Sequence, residues 1–440
     1  MPAAPATSIG IDFGTSNTVL ALAGPRGPAE AVRFRHAESD LTAFISALCF
    51  WEERRDGALQ RRVEGGPWAV DQFLAGVGAH RFIQSFKTFA ASAAFKDTRI
   101  FGRAFTFEDL LANFLGTVLR HARIDPAGAR IVIGRPVRFA GPNPDEALAL
   151  ERYRAAFARA GLESSLHVYE PVGAAFFYAQ RLERDSTVLV ADFGGGTSDF
   201  SVMRFERDAR DPDGPRRGTP LAHSGIGIAG DTFDYRIIDH VVSPRLGKGG
   251  SYRSFGKVLP LPTHYFANFA RWNQLAMMKA NGDLKELREL ARQAVDPEAL
   301  ERFIEIVEYD QGFPLYRAVS RAKAALSTAA STRFAFREGA VAIEETITRE
   351  AFEAWIAEDV QRIDDTVGVA LQRAGLRPAQ VDKVFLTGGS SFIPAIRRLF
   401  AGRFGEDRLM SGDQFESIAT GLALIGREQD VERWTAKVAA

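Results

Sequence analysis

The chain has 440 residues, 46% of them hydrophobic and 25% charged, which excludes wholesale disorder and predicts two or more domains or lobes. Its 55 Lys and Arg equal its 55 Asp and Glu, which argues against a chain built to coat nucleic acid or an anionic membrane. The single cysteine, Cys49, excludes a disulfide framework or a cysteine-based zinc site within one chain.

The N-terminal residues lack the basic start and apolar core of a signal peptide, and no apolar run approaches the ~20 residues of a membrane-spanning helix. A cytoplasmic protein without membrane or nucleic-acid partners is expected. The run Ser8-Ile-Gly-Ile-Asp-Phe-Gly-Thr-Ser-Asn-Thr-Val-Leu-Ala-Leu22 predicts a β-hairpin with a small, hydroxyl-rich tip. The balanced charges from Glu52 to Glu64 predict a solvated hairpin, and Cys49, in ISALCFW, a packed core position. Leu110, Leu111, Phe114, Leu115, Val118 and Leu119 share one face of a helix over 108–121. A strand at Arg130–Pro136, a helix over 144–160 stopped by Gly161, a strand end at His167–Pro171 and a helix over 172–183 follow.

A second hairpin, Thr187-Val-Leu-Val-Ala-Asp-Phe-Gly-Gly-Gly-Thr-Ser-Asp-Phe-Ser-Val202, repeats the grammar of the first, with Asp12 and Asp192 180 residues apart. That distance suggests two related lobes and not a solenoid. Residues 207–219 and 244–262 are rich in Gly, Pro and polar residues, and 264–330 are mostly helical in pattern. Further helices are expected over 350–375, 391–401 and 413–427, with a strand over 381–387. The alternation predicts an α/β fold.

Glycine turns let backbone N–H groups approach phosphate oxygens. Thr15, Ser16, Thr197 and Ser198 add hydroxyl donors. Asp12, Asp192 and Asp199 repel phosphate directly, and they make sense if a Mg²⁺ sits between them and the phosphates, held through water. A third element, Val384-Phe-Leu-Thr-Gly-Gly-Ser-Ser-Phe-Ile-Pro-Ala-Ile396, is a strand entering a Gly-Gly-Ser turn before a helix, suited to packing a ribose or base on backbone.

These elements, in this order, resemble the actin-like ATPase superfamily, and within it the nucleotide-binding domain of DnaK-type heat-shock chaperones. IDFGTSNT is similar to the first phosphate loop, VADFGGGTSDFSV to the second and TGGSSFIP to the adenosine loop. YEPVGAAFFYA, GIAGDTFD, SRAKAALST and ITREAFE resemble further family segments. The resemblance spans about residues 8 to 426 and is greatest to the bacterial YegD group of chaperone-like proteins. It implies a two-lobed fold of duplicated sheet-plus-helix lobes around a nucleotide cleft. Lobe I would be 1–183 with 411–440, and lobe II 184–410 with a helical insertion at about 244–318.

The resemblance also implies roles. Thr197 and Asp199 would sit near the γ-phosphate and the attacking water, Glu170 near the nucleophile, and Asp12 and Asp192 would hold hydrated Mg²⁺, with K⁺ as a further ion. Gly14, Thr15, Ser16, Asn17, Gly194, Gly195, Gly196, Gly230 and Asp231 would line the ATP or ADP phosphates. Lys323, Ser327, Gly388, Gly389, Ser390 and Ile393 would contact the adenosine, and Pro136 would couple the nucleotide state to the lobes.

The chain departs from the family at Ser320, Ala324 and Phe415, which implies looser hold on the base. No lysine stands in WAVDQFLAG where the family's catalytic lysine is expected, and Lys87, in RFIQSFKTF, is the substitute considered. Without that charge hydrolysis would be slow or absent. The tail EQDVERWTAKVAA is unlike the family's apolar interdomain linker, so an ATPase domain without a peptide-binding domain is expected. A nucleotide-sensing module without turnover and a small-molecule kinase are the alternatives. A protein partner could dock on the 244–318 insertion, although Tyr265, Phe266, Phe269 and Trp272 are expected to be buried there. Gly225-Ile-Gly-Ile-Ala-Gly230 spells a dinucleotide motif without its βαβ context, and the seven histidines show no ligand spacing.

Overall fold

In the computed structural model, Ser8–Phe13 (β1) turns at residues 14–16 into Asn17–Ala23 (β2), where the two apolar runs flank the polar tip. The structure describes residues 7–55, 58–76, 79–141, 143–207, 217–412 and 416–435. Ala29–Ala31 (β3) and Phe44–Ile45 (β4) pair with β2. Arg130–Arg135 (β5) lies parallel to β1, and Leu166–Tyr169 (β6) lies parallel to β5. The sheet order is β6-β5-β1-β2-β3, with β4 also on β2.

Ser186–Phe193 (β7) and Ser198–Glu206 (β8) form the second hairpin. With Arg217–Ile226 (β9), Lys383–Thr387 (β10) and Leu409–Ser411 (β11) they build a sheet in the order β9-β8-β7-β10-β11. The partners repeat those of the first sheet: an antiparallel hairpin, a third antiparallel strand outside it, and two parallel strands on the other side. β7 is buried along its whole length, which fits the unbroken apolar run of a strand covered on both faces. The fold is thus mixed α/β with two mixed sheets.

The helices follow the sequence signals with shifted ends. Phe107–Ala122 (α1) starts in a capping box between Thr106 and Asp109. Glu146–Arg159 (α2) is capped by Asp145 and followed by Gly161 at φ 78°. Glu170–Ala179 (α3) begins two residues earlier than expected, because Pro171 suits the first helical turn. Ser417–Ile425 (α4) covers part of the helix expected over 413–427. Residues 413–415, with Phe415, lie outside the described residues, as do 208–216 of the loop expected over 207–219; Arg217–Thr219 already belong to β9. The helix expected over 391–401 is instead Pro394–Phe404, preceded by a 3₁₀ turn at Gly389–Phe392.

α3 and α4 hold equivalent places in the two halves and cross where each carries a glycine. A Cβ on Gly421 would overlap the Gly173 carbonyl, and one on Gly173 would lie 2.9 Å from the Ile418 carbonyl oxygen. α4 also presses on β1, where a Cβ on Gly10 would overlap the Ala419 carbonyl.

Packing divides the chain into two units. The larger is Met1–Ala229, Gln361–Ser391 and Ile396–Ala440, and it contains both sheets. Its segment before α1 is richer in strands than expected. It holds a three-stranded sheet of Ala47–Arg55, Ala58–Gly65 and His80–Gln84, a helix Gly66–Ala75 and two small hairpins. Several of these strands have only three residues, too few to show a period. Arg54 and Arg62 lie in the expected hairpin, where Arg62 pairs with Glu53 at 2.6 Å. Cys49 is fully buried there, and burial pushes its thiol up to about 12.

The smaller unit is Gly230–Val360 with Phe392–Ala395. Residues 263–328 are largely helical, as the pattern predicts. Tyr265, Phe266, Phe269 and Trp272 are buried, with Phe266 and Phe269 packing on Phe303. The Gly-rich stretch 244–262 folds into a hairpin, Ser251–Ser254 with Lys257–Pro260, turned at Phe255-Gly256. Among the described residues no helix is long and apolar enough to cross a membrane.

Candidate functional site

Three parallel strands bring their carboxyl ends to one place. β1 ends beside Asp12, β5 runs into Pro136 and β6 runs into Glu170. Carboxyl ends of parallel strands are where α/β sheets receive ligands.

The two glycine loops close in the same way. Gly14 donates its N–H to the Asn17 carbonyl at 3.0 Å, and Gly194 donates to the Thr197 carbonyl at 2.9 Å. A Cβ on Gly14 would overlap the Asn17 carbonyl oxygen, so this turn needs glycine. Ser46, which the sequence did not flag, buttresses the first loop. Its N–H donates to the Ser16 carbonyl at 2.8 Å and its hydroxyl to the Gly14 carbonyl at 2.7 Å. A Cβ on Gly196 would lie 3.3 Å from Thr15 Oγ1, so the second loop reaches the first. Thr15 and Thr197 are buried, whereas Gly194 is exposed.

Lys87 belongs to this site. Its ammonium donates to Glu170 Oε1 at 2.8 Å, both side chains are buried, and it lies 5.7 Å from the centre of the Phe13 ring. Gly134 makes room for the pair, since a Cβ there would lie 2.9 Å from Glu170 Cγ. Burial works to lower the Lys87 pKa. The charge of Glu170, with Tyr153 and Asp12, outweighs it and holds the lysine above its ordinary range.

The neighbouring carboxyls shift the other way. Burial and then the Glu170 charge push Asp12 up to about 7, against the pull of Lys87. Asp192 is raised well above the usual range by burial and by the charges of Glu170, Asp12 and Asp199. Burial and Glu170 push Asp199 up to about 7, while the Thr197 hydroxyl and the Arg138 amide oppose the shift. Asp192 and Asp199 are direct cross-strand neighbours, a like-charge pairing that costs stability. Asp199 Oδ1 accepts from the Val137 and Arg138 amides at 2.9 and 3.2 Å, and its buried Oδ2 has no hydrogen-bond partner among the described residues.

Four carboxyls therefore share one lysine, and a cation would relieve their mutual repulsion. Among the described residues no three His, Cys, Asp or Glu side chains could hold a metal directly. A cation fits this donor set through water.

The third element abuts the second loop. β10 lies parallel to β7 with Thr387 beside Asp192. Gly388, at φ 80°, presses on Phe193, where a Cβ would overlap the Phe193 carbonyl. Ser390 is buried and Gly389 exposed.

Of the remaining residues expected at the nucleotide, some belong to each unit. Gly388, Gly389 and Ser390 lie in the larger, and Gly230, Asp231, Lys323, Ser327 and Ile393 in the smaller. Within the smaller unit Lys323 is already engaged. It pairs with Asp234 Oδ1 at 2.8 Å and donates to the Gly230 carbonyl at 3.0 Å. Ser327 is half-buried on the same helix, Gly312–Thr328. Ser320 and Ala324 occupy that helix too.

Burial and the charge of Asp234 push Asp231 up to about 7, although Lys323 opposes them. A carboxyl raised in the folded state binds its proton more tightly than in the unfolded chain, so stability falls as pH rises from about 4 to about 7. Asp231→Asn is expected to leave stability unchanged near pH 4 and to raise it by on the order of 1–2 kcal/mol at pH 8. Urea midpoints at the two pH values check this, and an equal difference at both would refute it.

The family described as Hsp70 protein matches residues 151–248 and 312–431. The matched segments contain Glu170, the second loop, Asp231, Lys323 and the Gly388-Gly389 turn. The unmatched interval holds the hairpin Ser251–Pro260 and the helices from Thr263 to Glu308. The chain therefore carries an Hsp70-family domain, of the actin-like, ATP-binding, chaperone-type ATPases.

Proposed function

We propose that this chain binds ATP with Mg²⁺ and hydrolyses it slowly to ADP and phosphate. Nucleotide state would be coupled to opening and closing of two lobes, residues 1–183 with 411–440 and residues 184–410. The observation that carries this reading is the buried Lys87–Glu170 pair among Asp12, Asp192 and Asp199, beside two glycine-closed loops.

The loop amides and the hydroxyls of Thr15, Ser16 and Thr197 receive the phosphates. Asp12 and Asp192 would hold a Mg²⁺ through water, which would supply positive charge against the phosphates, and K⁺ is a further candidate ion. Lys87 offsets charge on the transferring group while Glu170 holds the ammonium in place. Asp199 and Thr197 orient the attacking water. Its oxygen bonds to the γ-phosphorus as the bond to the β-bridging oxygen breaks, and its proton passes to solvent. The work is positioning and electrostatics.

Gly230 and Asp231 lie near the phosphates, and Lys323, Ser327, Gly388, Gly389, Ser390 and Ile393 contact the nucleoside. Ser320 and Ala324 leave that hold weaker than in the family at large, and a nucleotide-sensing module without turnover, favoured by the absence of a lysine from WAVDQFLAG, is the second reading. The likeness to the YegD group, a cytoplasmic setting and a protein partner on the 244–318 insertion belong to the same proposal.

Single-turnover phosphate release from ATP with Mg²⁺ and K⁺ tests it, beside Gly195→Val, which is expected to abolish nucleotide binding. Thr197→Ala is expected to slow release roughly 10²-fold while ATP affinity changes no more than about threefold. Equal losses in rate and affinity would make Thr197 a binding residue only. ATP binding without release would favour the sensing module.

A further inference from the structure

Lys87 reaches Glu170 from a 3₁₀ turn, Phe86–Phe89, that follows the strand His80–Gln84 and buries Phe86 against Phe13 and Phe114. The turn is entered through Ser85 at φ 53°, a left-handed conformation that a serine keeps only when its surroundings hold it there. Beyond the turn, the carbonyls of Phe89, Ala90, Ser92 and Phe95 converge on one point. The Arg152 guanidinium occupies that point. Nη1 donates to Phe89, Ala90 and Ser92 at 2.8, 3.1 and 3.1 Å, and Nη2 donates to Phe95 at 2.7 Å. The side chain is buried, with Glu108 Oε1 3.8 Å from Nε. α2 holds the same segment a second time, because its capping residue Asp145 donates its N–H to the Ala91 carbonyl at 2.9 Å.

We propose that Arg152 is a positioning residue of the site: its guanidinium gathers the carbonyls of 89–95 and so fixes the turn that delivers Lys87 to Glu170. This rests on the ATPase reading for its effect on rate, though not for its effect on the segment. A planar fork of five donors can serve four carbonyls at once, more than the three donors of a lysine ammonium match. Without it the Ala90 and Phe95 carbonyls lose the donor they have among the described residues, those of Phe89 and Ser92 keep only the Ser92 and Phe95 amides at 3.2 and 3.1 Å, and the segment must reopen to find others. Lys87 lies two residues from the first of them. α2 does not depend on Arg152 for its own packing, since Ala149, Leu150, Tyr153, Ala156 and Phe157 bury its inner face.

The test uses the full chain with Arg152→Met, and Arg152→Gln should the first variant fail to fold. Single-turnover hydrolysis is expected to fall roughly 10- to 100-fold with ADP affinity held within about threefold, the signature of a misplaced group and not of a lost binding contact. Joined to Lys87→Met, the substitution is expected to add no more than about twofold to the loss that Lys87→Met causes alone. A rate within about twofold of the parent, or losses that multiply in the double variant, would overturn the assignment. Amide hydrogen exchange separates this from failure of the ATPase reading. If the parent binds ATP but does not hydrolyse it, amides of residues 88–95 are still expected to exchange faster in the variant. Unchanged exchange there overturns the role of Arg152 whatever the activity.

Discussion

Replacing Lys87 by methionine is expected to slow single-turnover ATP hydrolysis about 10²- to 10³-fold, the size of effect that follows loss of one preorganised charge at a transferring group. Methionine keeps the unbranched stem and removes the ammonium that lies over the Phe13 ring, so the change is chiefly electrical. The ammonium is paired with Glu170, and its charge pulls against the upward shifts of Asp12, Asp192 and Asp199. Glu170 would be left buried without its partner. ADP affinity should change by no more than a few-fold, because the loop amides and hydroxyls remain. Phosphate release within about threefold of the parent would show that Lys87 only balances charge in the resting protein.

Gly421→Val is expected to cost about 3 kcal/mol or more of stability, at the upper end of what overpacking usually costs. The obstacle is backbone: a Cβ at Gly421 would overlap the Gly173 carbonyl and lie 3.1 Å from the Phe177 amide nitrogen. Neither atom can swing aside as a side-chain tip could, so α3 and α4 must separate. Even Gly421→Ala should show most of the loss. Glu170 opens α3, and therefore the nucleotide affinity of whatever remains folded should fall as well. Urea midpoints of both variants measure the first effect and ADP titration the second. An alanine variant with a parental midpoint would mean that the crossing relaxes without cost.

Much of the frame was legible. The two hairpins show as apolar runs on either side of glycine turns, and α1 shows as a 3.6-residue stripe. The repeat between Asp12 and Asp192 pointed to a duplication that the matching strand orders display. What stayed hidden depends on residues distant in sequence. Lys87 sits in an aromatic run without a motif, and its importance comes from a partner 83 positions away. Ser46 and Gly134 serve by fitting a space, one through a small hydroxyl and one through having no side chain. The crossing glycines were hidden for the same reason, because small residues in a helical run signal nothing until the second helix is placed. Lys323 was assigned a base contact by resemblance, whereas within its own unit it bonds Asp234 and the Gly230 carbonyl. Pro394 also moved a helix start three residues beyond the expected Ser391.

The matched closure of the two loops has a consequence for direction. A cradle made of two identical turns would be blind to which way round a linear anion lay. Here the frame is nearly the same on both sides, closed by one backbone bond of 3.0 Å and another of 2.9 Å. The tips differ: one carries the side chains of Thr15 and Ser16, the other the bare backbone of Gly195 and Gly196. The strands behind them differ too, since Asp192 faces Asp199 where Asp12 faces Val19. The matched hairpins supply the scaffold, and under the proposed function these few unmatched positions would give it polarity, so that the two ends of an elongated guest would not be interchangeable.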